Sequence, residues 1–197
     1  MEQAFERTKK ILASNGCRLI ELDMKSIEEN NVDLSVPFVS YEARFALRKY
    51  LHDNKIPLTL EDLVGKIMSP DATELFETFI LESGPKAMSK EFYEKCLNEK
   101  RPRLIDDYKR LFEQVDLLAY PTMCCLPPRV DEATTGEIMN RMVRNTDPSS
   151  NAGIPSLSIP MGVSDIHRVH IGLNLDASFG RDRFLLRCGA LIHKSLD

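Results

Sequence analysis

The 197-residue sequence contains nine glycines, never two side by side, so it has no glycine-rich tract. No apolar run approaches the roughly 18 residues that cross a bilayer, and the N-terminus MEQAFERTKK lacks the apolar core of a signal peptide. A soluble, cytoplasmic protein without a membrane partner is expected. Lys/Arg and Asp/Glu are intermixed at a formal net charge of -4, leaving no basic stripe to follow a phosphate backbone, which excludes nucleic acid as a partner. Five cysteines, an odd and widely spaced set, imply reduced thiols in a chain large enough to fold without staples. Apolar residues at 43% and charged residues at 28% fit an ordinary globular chain with one substantial core or two small ones.

What is present alternates between helix and strand signals. Ala4, Phe5, Thr8, Ile11 and Leu12 share one helical face, with Gly16 as a stop. Cys17 to Asp23 alternates like a strand, and Asn30 to Pro37 reads as irregular. Ala43, Ala46, Leu47, Tyr50 and Leu51 mark a second amphipathic helix. Thr59 and the Ser69-Pro70 pair open two short helices, Gly84-Pro85 closes the latter, and a helical pattern from Ser89 to Glu113 should kink at Pro102. The second half carries short apolar runs at Val115 to Tyr120, Ser156 to Ile159 and His170 to Asp176 between loops rich in Pro, Thr, Ser and Asn. Leu117, Leu118, Leu157, Ile159, Ile171, Leu173 and Leu175 suggest strands buried on both faces. A closing helix starts near Asp182, with Phe184, Leu185, Cys188, Leu191 and Ile192 as its apolar face. Helices flanking buried strands predict an α/β layer architecture.

Four stretches point to a family. Arg144 to Gly162, with Asn151-Ala152-Gly153-Ile154-Pro155 followed by Ser158-Ile159-Pro160-Met161-Gly162, resembles the C-terminal pattern of the amidase-signature family. Asp116 to Thr122 is similar to that family's apolar strand ending in Pro-Thr, Ile171 to Leu175 to its Gly-Leu-x-Leu strand, and Asp182 to Gly189 to its closing helix. Ile67 to Asp71 and Gly172 to Leu186 look most like the subgroup acting on mandelamide and indoleacetamide. The resemblance implies that residues 1–197 are the C-terminal portion of an amidase-signature domain, with a mixed β-sheet flanked by helices. It also implies a carbon-nitrogen hydrolase acting on small arylacetamide-type linear amides, without cofactor or metal.

Amide hydrolysis needs a nucleophile, a base and oxyanion donors that converge. The resemblance implies a Ser-Ser-Lys apparatus in a Gly/Ser-rich segment, which this sequence does not contain, so no catalytic residue is assigned and the chain alone is expected to be inactive. Its expected partner is the N-terminal catalytic portion of the same fold. The Ser149-Ser150 pair lies in the wrong motif and reads as a bonded turn. Cys124-Cys125 with His167 and His170 lacks the spacing of chelating or catalytic sets and reads as loop thiols. The resemblance assigns substrate contact to Thr122 and Met123 after the Pro-Thr strand, and to Ile138, Met142 and Thr146 on a helix leading into the Asn-Ala-Gly loop. Ile138 and Met142, four residues apart, fit a core-facing stripe equally well. The alternative function is a non-catalytic ligand- or partner-binding module. Strands stripped of cover on one face would leave the chain marginal or self-associating, since about 1.5 to 3 kcal/mol attaches to each large apolar side chain.

Overall fold

The computed structural model describes residues 1–129, 136–164 and 168–196. The chain divides into two compact units, Met1–Asn30 with Arg103–Asp197, and Asn31–Pro102.

The first unit is built on three strands, β1 (Leu118–Pro121), β2 (Ser156–Val163) and β3 (His170–Asp176), in the order β1-β3-β2 with both pairings antiparallel. Directly opposed residues of an antiparallel pair share a face, and side chains alternate between faces along each strand. Leu157, Ile159, Leu173, Leu175 and Ile171 therefore project to one side, where helix α1 (Glu2–Ser14) and the closing helix α10 (Asp182–Leu196) cover them through Ala4, Phe5, Phe184, Leu185 and Ile192. The expected burial on both faces holds for β3, where Leu173, Asn174, Leu175 and Asp176 are all buried, but not for β2, where Ser156 and Ser158 are exposed; the residues between the leucines are polar. The cover comes from the chain's own helices.

Helix α1 ends as its sequence dictates. Gly16 adopts a left-handed φ of 86°, Cys17 N–H donates to the Leu12 carbonyl (3.0 Å) and Gly16 N–H to that of Ala13 (3.1 Å), the paired bonds of a glycine C-terminal motif. The strand expected at Cys17 to Asp23 does not form. That segment is irregular, with Leu19 and Ile20 46% and 44% exposed, because alternation makes a strand only where a neighbouring strand takes its hydrogen bonds. On α10 the apolar face is narrower than expected, since Leu191 is exposed while Phe184, Leu185 and Ile192 pack. Pro160 is tolerated in β2 because that strand is an edge, and a bulge follows at Met161, where Gly162 takes a φ of 125°. Two short helices, α2 (Lys25–Asn31) and α7 (Arg101–Phe112), flank the second unit in sequence.

In the second unit, α3 runs Ser35–Asp53, so the stretch expected to be irregular includes the first turn of a helix, where Pro37 lacks no needed donor. Thr59 caps α4 (Leu60–Val64) in a capping box with Asp62, and Ser69 with Pro70 opens α5 (Pro70–Leu75), as the sequence indicated. Leu60, Val64 and Leu81 form the buried cluster here. The break expected at Pro102 is a wide π-helical turn at Cys96–Lys100 between α6 (Lys90–Lys95) and α7. Such a turn redirects carbonyls away from the proline ring, which has no N–H to offer them. Among the described residues no helix is long and apolar enough to cross a membrane.

Candidate functional site

The second face of the sheet carries polar groups where the first carries leucines. Its rows, taken across β1, β3 and β2, are Leu118, Asp176 and Ser156, then Tyr120, Asn174 and Ser158. At the far end Thr122 follows β1, with its N–H on the Gly172 carbonyl (2.8 Å), and Gly172 is opposed by Pro160.

Gly172 decides what happens at that end. A Cβ there would lie 2.5 Å from Thr122 Oγ1 and 2.7 Å from Ser158 Oγ, too close for either to remain. Without it the two hydroxyls meet above β3 at 2.6 Å. Ser158 is exposed and Thr122 half-buried, so the pair stands where a ligand can reach it.

At the other end the polar groups are consumed by one another. Asp176 is fully buried and accepts hydrogen bonds from the Tyr120 hydroxyl and from Asn174 Nδ2 (2.8 Å), which also bonds Ser156 Oγ (2.9 Å) and Tyr120 Oη (3.0 Å). Burial pushes the Asp176 carboxyl above its ordinary range, against the lowering effect of those bonds from Tyr120, Ser156 and Asn174. Burial and then the Asp176 charge push Tyr120 and Tyr108 up as well, which keeps both phenols protonated and leaves Tyr120 donating to Asp176. Such a saturated network fixes the register of β1, β3 and β2, and Asp176 is not positioned as a base for a solvent-borne substrate.

The expected contact residues fall on two segments that the fold ties together. Asn145 Nδ2 donates to the Pro121 carbonyl (2.8 Å), and Cys124 Sγ donates to the Arg141 carbonyl (2.8 Å), which holds the turn after β1 against helix α8 (Gly136–Val143) and its exit. Thr122 and Met123 sit on that turn, Ile138 and Met142 on α8, and Thr146 at the start of α9 (Asp147–Ala152), all five half-buried. The Thr146 hydroxyl bonds the Val143 carbonyl (3.3 Å). Ser149 and Ser150 both donate to the Thr146 carbonyl (3.0 and 2.9 Å), so their hydroxyls serve the local turn. His167 lies outside the described residues, and among the described residues no three or more His, Cys, Asp or Glu are grouped to hold a metal ion. Sequence reasoning missed Ser158, Gly172, Asn174 and Asp176. The signal was the period-two alternation Gly172-Leu-Asn-Leu-Asp176, outweighed in the reading by its leucines.

A family model described as Amidase matches residues 1–186. Mandelamide hydrolase of Pseudomonas putida is 32% identical over 94% of this chain and 38% of its own length, and indoleacetamide hydrolase of Agrobacterium vitis is 32% identical over 98% of this chain and 43% of its own. A solved amidase structure superposes with a TM-score of 0.75 at 20% identity, covering 100% of this chain and 42% of that one. A bacterial aryl acylamidase of the amidase signature family gives 0.73 at 19% identity, covering 98% and 39%. The chain thus spans about two fifths of the length of the curated relatives it matches.

Proposed function

Because this chain belongs to the amidase family, we propose that residues 1–197 form the C-terminal portion of a hydrolase of carbon-nitrogen bonds in small arylacetamide-type linear amides. The chain supplies pocket walls, and the serine nucleophile and lysine base come from the catalytic portion of the same fold. Both curated relatives are named for aryl-substituted acetamides, which supports the substrate class. The observation that carries the assignment of roles is the unequal sheet. One face is closed by α1 and α10, while the other ends in the Thr122–Ser158 hydroxyl pair beside the turn bearing Met123. In this reading Met123, Ile138 and Met142 hold the aryl ring, and Thr122 and Thr146 orient the polar end of the amide. The exposed Leu19–Ile20 pair, in an irregular segment after α1, supports a further element of the fold covering it.

Ammonia release from mandelamide, phenylacetamide and indoleacetamide tests this. The purified chain alone is expected to release none, and addition of the separately expressed catalytic portion of the P. putida mandelamide hydrolase restores turnover. In the reassembled enzyme Met142→Ala raises KM more than it lowers kcat, because a wall contact holds substrate and transition state alike. Turnover by the lone chain overturns the division of labour. Tight aryl amide binding without turnover in the mixture would instead mark a non-catalytic binding module.

A further inference from the structure

Thr122 and Ser158 hold their hydroxyls 2.6 Å apart, with either oxygen able to donate, in the space that a Cβ on Gly172 would fill. Among the described residues these two side chains bond only each other, and the Thr122 backbone N–H is committed to the Gly172 carbonyl (2.8 Å). Two hydroxyls carry two protons, and one suffices between them. The pair therefore keeps a second O–H and free lone pairs for a ligand. Ser158 is exposed on the edge strand β2 while Thr122 is half-buried, so Ser158 meets the ligand and Thr122 stands behind it. When Thr122 donates to Ser158 Oγ, the Ser158 O–H becomes the stronger donor.

From this geometry we propose that Ser158 is a specificity-determining residue, which hydrogen-bonds a hydroxyl on the carbon between the aryl ring and the carboxamide and so favours 2-hydroxy arylacetamides. The inference rests on the amide-hydrolase reading above and adds to it a residue and a substituent. An alcohol carries a donor and an acceptor on one oxygen, so it accepts from Ser158 and donates back to a free lone pair behind it. A carboxylate only accepts and an ammonium only donates, and neither hydroxyl of the pair has a charged partner among the described residues, so an uncharged group fits. The scissile carbonyl oxygen needs the oxyanion donors, and the amide nitrogen needs a proton as it leaves. Ser158 is then left to a substituent beside them. Met123 follows Thr122 directly, at about 3.8 Å between Cα atoms, so a ring held by Met123 sets the carbon that carries it next to the pair.

Kinetics of the reassembled enzyme with mandelamide and phenylacetamide, which differ by that hydroxyl alone, test the residue. Ser158→Ala is expected to lower kcat/KM for mandelamide about 10-fold more than for phenylacetamide, whereas loss of fold or of assembly lowers both alike. The two mandelamide enantiomers have equal intrinsic reactivity and direct the hydroxyl to different sides, so the unsubstituted enzyme should turn one over faster, a preference that Ser158→Ala narrows. An unchanged ratio of the two amides in Ser158→Ala, or equal kcat/KM for the two enantiomers in the unsubstituted enzyme, overturns the inference and leaves the hydrolase reading standing. No turnover of either amide by the unsubstituted mixture overturns both.

Discussion

Gly172 shows how much one absent atom controls. Its missing Cβ lets Thr122 and Ser158 meet across the central strand, so Gly172→Ala forces at least one hydroxyl out of place. Overpacking of this kind costs about 1 to 3 kcal/mol. Thr122→Ala removes the nearest obstruction, so the glycine substitution should cost less in that background, a non-additivity of about 1 kcal/mol in urea unfolding. Additive effects would show that the two sites do not touch. At this scale motif resemblance only proposed Thr122, Met123, Ile138, Met142 and Thr146 as contacts; the structure ties the turn and α8 that carry most of them through Asn145 and Cys124. Ser158 and Asp176 could not be singled out, because a hydroxyl or carboxylate gains its role from a partner that is distant in sequence: Ser158 from Thr122 and Asp176 from Tyr120, 36 and 56 residues away.

Among elements, helices with local punctuation were read well. Gly16 for α1, Thr59 for α4 and Ser69-Pro70 for α5 act within one turn of the chain, so neighbouring residues suffice to place them. Cys17 to Asp23 failed as a strand for the opposite reason, since pairing is a long-range event. The contact of α10 with β2 rests on another glycine. A Cβ on Gly189 would come within 2.3 Å of Leu157 Cδ2, the movable end of a half-buried side chain. Alanine gains about 1 kcal/mol over glycine inside a helix, against a packing cost of about 1 to 3 kcal/mol here. Gly189→Ala should therefore be destabilising by about 1 kcal/mol on balance. In a Leu157→Ala background, where the obstruction is gone, the same substitution should become stabilising, a change of sign visible in chemical denaturation. If the sign stays the same, α10 does not press on Leu157 through this residue.

For the whole molecule, pH exposes the conflict between burial and charge. Asp176 has its folded-state pKa raised by burial, so between the ordinary carboxylate value and that raised value the unfolded chain has already lost the proton that the folded chain keeps. Stability from this group is complete at low pH and falls as pH rises through the window. Asp53, Asp62 and Asp106 act in the opposite direction. Hydrogen bonds chiefly from Lys49, Thr59 and Lys109 respectively lower them, so their contributions are present above the unfolded value and fade as pH drops, and full exposure keeps those effects small and salt-sensitive. Thermal melts of Asp176→Asn between about pH 4 and 8 should show its Tm gaining on the unsubstituted chain as pH rises; a constant difference would refute the raised pKa. The sequence by itself determined the family, the α/β character, the capped helices and the location of the three strands found among the described residues, because each is written in residues that lie close together in the chain. Only the tertiary structure decided that the sheet has one apolar and one polar face and that Thr122 meets Ser158 over a bare glycine. Those outcomes depend on strand register, which aligns residues far apart in sequence and which no local pattern specifies.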